Sequence, residues 1–118
     1  MRTLLDLKKE IEIYQPFNEQ EEKDKEEILR CISQSEHILM RDNKNAHMTV
    51  SAWIVDQERK KVLMAYHNIY HSWAWLGGHA DGNADLKEVV LKEIREESGL
   101  ETARFICDDI FSLEILTV

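Results

Sequence analysis

The chain has 118 residues, a formal charge of −8 and a pI near 5.1; this is enough for one modest core and argues against polymeric nucleic acid or an anionic membrane surface as partner. No apolar run approaches the roughly 20 residues of a membrane span, and the opening MRTLLDLKKEIE is too charged for a signal peptide. Cys31 and Cys107 lack metal-ligand spacing and read as reduced thiols, so a cytoplasmic location is expected.

Residues 1–45 are nearly free of strand signals and rich in Glu and Lys. Leu4, Leu5, Leu7 and Ile11 mark a first amphipathic helix, which Pro16 interrupts. Asn18, with Gln20 and Glu21, opens a second helix whose apolar stripe is Ile28, Leu29 and Ile32 and, past a break, Ile38 and Leu39. The run EQEEKDKEE reads as the wet first turns of that helix rather than as an acidic interaction tail. This helical extension is expected to pack on the core or on a second subunit. RDNKN, residues 41–45, is a turn cluster and the boundary of the following domain.

The period then changes. From His47 to Val55, Met48, Val50, Ala52 and Ile54 alternate with Thr49, Ser51, Trp53 and Val55. A turn at Asp56–Lys60 and a second strand, Lys61–His67, make a hairpin. Both strands are apolar on both faces, which suits a sheet covered on each side. His67 and His71 have the spacing of a helical zinc pair, but Asn68 places them in a loop without a third ligand in reach. Trp73 and Trp75 fall on one face; one packs in the core while Trp75 is a candidate to stack on a base.

Next come the glycines of GGHADGN and a helix with Asp85 as N-cap, Glu88 three residues on, and Gly99 as left-handed C-cap. Leu86, Val89, Val90 and Ile94 share one side of it. Glu93 and Glu97 project into that side, with Glu96 at its margin. Burying unpaired carboxylates is costly. Either the face is half solvated, or the cluster holds a hard cation such as Mg²⁺ or Mn²⁺. After Leu100, Thr102–Ile106 and Phe111–Val118 are expected as strands around a turn at Asp108 and Asp109.

Gly78, five residues, Ala84, seven residues, then Lys92-Glu93-Ile94-Arg95-Glu96-Glu97-Ser98-Gly99-Leu100 resembles the Nudix box, without a gap. GGHADG further resembles a bacterial Nudix subgroup. Two positions depart: Ala84 stands where the family has glutamate, and Lys92 where it has an arginine whose planar fork holds a metal-binding glutamate. The resemblance implies an α/β (α+β) fold, a mixed sheet sandwiched between helices, with residues 46–118 as the Nudix domain after the extension at 1–45. Because Nudix domains usually continue with further strands and a helix, and LEILTV would be a strand without a neighbour, the C-terminal part of the fold is expected to lie outside this sequence.

The resemblance also implies a metal-dependent hydrolase of nucleoside diphosphates linked to another group, in which water attacks one phosphorus. Glu93, Glu96, Glu97 and the Gly77 carbonyl would hold Mg²⁺ or Mn²⁺, and Lys92 would orient Glu93. Gly78, His79 and Trp75 would meet the nucleotide substrate, His79 itself being expected as a hydrogen-bonded loop residue. The base is left open between a glutamate free of metal and a group beyond Val118. Two other readings stand beside this one: a nucleotide-binding module with little or no turnover, and a fragment completed by a partner chain. A homodimer through the N-terminal helices or the open sheet edge is compatible with each.

Overall fold

The computed structural model describes residues 2–116. Helix α1 (Leu4–Ile13) begins with a complete capping box, in which the Asp6 N–H donates to the Thr3 hydroxyl and the Thr3 N–H donates to the Asp6 carboxylate. Helix α2 (Glu19–Gln34) begins at Asn18, whose side-chain oxygen accepts from the Glu21 N–H at 2.8 Å. No basic residue occupies the last turn of α1; Lys25 of α2 takes that role, donating to the Glu12 and Tyr14 carbonyls at 2.8 Å each. A 3-10 turn, Glu36–Leu39, follows α2.

Leu7 and Ile11 are only 1% exposed, burial worth roughly 1.5–3 kcal/mol for each side chain. They form a cluster with Ile32, Ile38 and Leu39, and its far wall is Ala80 and Ala84. The N-terminal helices and the glycine-loop region therefore share one core.

The strands are β1 (Thr49–Ala52), β2 (Ile54–Val55), β3 (Val62–Leu63), β4 (Ala65–His67), β5 (Ser72–Ala74) and β6 (Leu76–His79). They pair as three antiparallel ladders: β1 with β6, β2 with β3 and β4 with β5. Each continuous stretch thus changes partner once, at Trp53, Met64 or Trp75. Trp53 and Trp75 meet at these breaks with ring centroids 4.2 Å apart. Helix α3 (Leu86–Ser98) covers one face, where Val90 and Ile94 pack on Leu76, with Val50, Ala52, Ile54, Leu63 and Ala65 around them. Its ends are the expected ones. Asp85 accepts from the Glu88 N–H at 3.2 Å, and Gly99 is left-handed at φ 78°.

The class is α+β, with three α-helices and small antiparallel sheets, but two expectations about the sheet are corrected. All described ladders are antiparallel, so the mixed sheet is absent among the described residues. Its second face is also uncovered, because Trp53, Val62, Tyr66 and Trp73 on alternate positions are exposed. No helix among the described residues is long and apolar enough to cross a membrane.

The strands expected at Thr102–Ile106 and Phe111–Val118 do not form among the described residues; Thr117 and Val118 lie outside them. The backbone there has other partners. The Tyr14 hydroxyl, whose one proton is shared between Glu21 and the Phe111 carbonyl, lies 3.0 Å from that carbonyl, and the Leu113 N–H donates to Glu21 at 3.5 Å. Ile110 and Leu113 pack on the helical cluster. A segment bound to the helical layer in this way is not available to extend the sheet.

Glu21 corrects the reading of the acidic run as wholly wet. It is buried, and it accepts from the Tyr14 hydroxyl at 2.5 Å and the Phe17 N–H at 2.9 Å as well as from Leu113. Burial pushes its carboxyl up, but these donors outweigh burial and hold it below the ordinary value. A depressed folded value stabilises above the unfolded pKa, about 4.3, and that stabilisation is lost as pH falls through the folded value. Gln in this place offers one acceptor oxygen instead of two. Glu21→Gln is expected to lower stability by about 1–3 kcal/mol at pH 7, with the gap from wild type closing below about pH 4. Urea denaturation at pH 7 and pH 3.5 checks this; a gap independent of pH would remove the carboxylate from the explanation.

Candidate functional site

Strand β6 carries the glycines to the start of the loop. Gly77 lies opposite Ser51 and Gly78 opposite Val50. A Cβ on Gly77 would sit 2.2 Å from the Val50 carbonyl oxygen, so the two backbones approach too closely for any side chain. A Cβ on Gly78 would sit 2.6 Å from Glu93 Cδ and 2.8 Å from its Oε1. The Glu93 carboxylate therefore rests over the bare α-carbon of Gly78, and the strand–loop–helix order brings these two sequence-predicted residues together.

Between them the loop is held from the N-terminal side. Ala80 N–H donates to the Met48 carbonyl at 3.2 Å and Gly82 N–H to the Leu39 carbonyl at 3.0 Å. Asp81 is left-handed at φ 47°, a conformation Asp tolerates better than most residues, and accepts two bonds from Arg41, at 2.9 Å from Nε and 2.7 Å from Nη2. Ala84, 5% exposed, points into the cluster of Leu7, Ile11, Ile32, Ile38 and Leu39. Position 84 thus faces an apolar core built by the N-terminal helices.

On α3, Glu93 is half-buried while Glu96 and Glu97 are exposed. Burial, then the neighbouring charges of Glu96 and Glu97, push the Glu93 carboxyl up, against a smaller opposing pull from Lys92. Lys92 does not hold Glu93 as the resemblance implied. Its ammonium is 3.8 Å from Glu96 one turn on, and it acts on Glu93 through charge alone.

Carboxylate oxygens are the donors that Mg²⁺ or Mn²⁺ takes, and a cation would relieve the repulsion among these three, so the donor chemistry fits. As placed, no three His, Cys, Asp or Glu side chains among the described residues are drawn into one coordination sphere.

His79 and Trp75 differ from expectation. His79 ends β6 rather than lying in the loop, and its buried Nδ1 has no hydrogen-bond partner among the described residues. Its ring lies 5.1 Å from that of His47; burial, then the charges of Arg41 and His47, favour the neutral imidazole. Trp75 follows the alternation away from Leu76 and α3, stacks on Trp53, and is not brought to the glutamates. Trp73, 66% exposed against Tyr66, is not a core residue either. Arg41 and His47 join the site unforeseen, since no local period links Arg41 to a residue as distant in sequence as Asp81. No protein-family model and no curated protein matches the chain, so the family resemblance rests on its own residues from Gly77 to Leu100.

Proposed function

We propose that this chain is a metal-dependent hydrolase of nucleoside diphosphates linked to another group. The observation that carries the reading is the Glu93 carboxylate seated over Gly78, on a helix that also presents Glu96 and Glu97 in Nudix-box order. Glu93, Glu96 and Glu97 would hold the metal, which when bound supplies charge neutralisation of the diphosphate and a more acidic water. The bare α-carbon of Gly78 leaves room for the carboxylate at the strand end. A glutamate that the metal leaves free would take the proton of the attacking water.

A second reading, a module that grips a nucleotide without turning it over, is favoured by the Lys92–Glu96 pair: it directs Lys92 away from Glu93, which has no cationic hydrogen-bond donor among the described residues. Titration calorimetry with Mg²⁺ separates the two readings when run beside a phosphate-release assay on a nucleotide panel. For Glu93→Gln/Glu97→Gln, Mg²⁺ affinity is expected to fall by at least about tenfold and hydrolysis to be lost. Binding without turnover in the wild type would select the second reading, and absence of Mg²⁺ binding would remove both the metal and the hydrolase.

A further inference from the structure

We infer that Arg41 is a phosphate-contacting residue of this site, its guanidinium held by Asp81 so that its unused N–H groups meet a phosphate of the substrate. The inference rests on the hydrolase reading for the identity of the substrate and on geometry for the residue.

A diphosphate approaching three glutamates on a chain of charge −8 meets a repulsive field. Two cations flank the glutamates. Lys92 is already directed at Glu96. Arg41 is tied to Asp81, in the loop that runs from the Gly78 strand to the helix of the glutamates. Nε and Nη2 are spent on Asp81, while Nη1 has no protein acceptor among the described residues. A guanidinium that engages a carboxylate along one edge keeps a second edge of the same planar fork for an oxyanion.

The bland alternative is that the pair simply clamps the loop. Its location weakens that alternative. Both side chains are half exposed or more, and ion pairs in water add little to stability. The loop is already fastened by the Ala80–Met48 and Gly82–Leu39 backbone bonds and by the burial of Ala80 and Ala84. What the pair does supply is orientation: a flexible arginine is fixed beforehand, which lowers the entropy lost when an anion binds.

The test is calorimetric binding of inorganic pyrophosphate in Mg²⁺ buffer to wild type, Arg41→Met, Arg41→Lys and Asp81→Asn, with urea midpoints measured for each. Arg41→Met is expected to bind at least about tenfold more weakly, the equivalent of one charge-assisted hydrogen bond. Arg41→Lys and Asp81→Asn should each fall between Arg41→Met and wild type, the first because the planar fork is lost and the second because the cation remains but is no longer fixed. Equal binding by wild type and Arg41→Met would overturn the assignment, as would no binding by wild type. Equal losses of binding in Asp81→Asn and Arg41→Met, with the urea midpoints of both lowered alike, would assign the pair to clamping the loop. Turnover distinguishes this proposal from the reading beneath it. Pyrophosphate binding that depends on Arg41, with no nucleotide hydrolysed, would retain the residue and sink the hydrolase. Hydrolysis with an unchanged KM in Arg41→Met would do the reverse.

Discussion

Ala84→Glu, which restores the glutamate of the Nudix pattern, is expected to destabilise the chain at neutral pH rather than improve its site. Ala84 is 5% exposed among Leu7, Ile11, Ile32, Ile38 and Leu39, all apolar. An uncompensated carboxylate there costs on the order of 3–5 kcal/mol, a large share of the 5–15 kcal/mol that typically holds a domain together. The pH dependence identifies the cause. The introduced carboxyl would have a raised folded pKa, so its penalty is absent below the unfolded value of about 4.3 and grows as pH rises above it. Urea denaturation should therefore show the widest gap from wild type at pH 7 and a much smaller one near pH 4. Ala84→Gln, similar in size but neutral, should lose about 1–3 kcal/mol at both pH values. An Ala84→Glu chain as stable as wild type at pH 7 would mean that position 84 does not face the core.

The adjacent glycines should respond differently to the same added methyl. Gly77→Ala puts Cβ 2.2 Å from the Val50 carbonyl oxygen and 2.7 Å from Ser51 Cα, both backbone atoms that cannot move unless the β1–β6 ladder opens. A loss of about 3 kcal/mol or more is expected, at the upper end of overpacking costs. Gly78→Ala instead meets only the outer atoms of the Glu93 side chain, which can rotate away. Its stability should fall by only about 1 kcal/mol, while Mg²⁺ affinity and hydrolysis fall as in the Glu93 variant. Thermal unfolding beside Mg²⁺ calorimetry reads both effects. If Gly78→Ala loses stability as severely as Gly77→Ala, the space over Gly78 serves packing rather than the carboxylate.

The features that neighbouring residues specify are local ones. Asn18, Asp85 and Gly99 are legible as caps because a cap is a hydrogen bond or a backbone angle within a few residues of the helix end. The α1, α2 and α3 stripes follow from the helical period, and the meeting of Glu93 with Gly78 follows from the strand–loop–helix order of the box. Only the tertiary structure decided which surface each element meets. The alternation of residues 47–55 marks a strand, but not that it leaves β6 for β3 at Trp53 or that its second face stays bare. Apolar composition at 102–106 and 111–116 favours strands, yet the chain bonds there to Tyr14 and Glu21, and a strand forms only where a neighbour offers its edge. Glu21 reads as one carboxylate among many until Phe17, Tyr14 and Leu113 converge on it. Arg41 reads as a turn residue until Asp81 arrives beside it. Ala84 reads as a lost glutamate until the helices of the extension close over it. Period and caps are written in neighbouring residues, whereas burial and pairing depend on groups far apart in the chain, and the chemistry of this site depends on both.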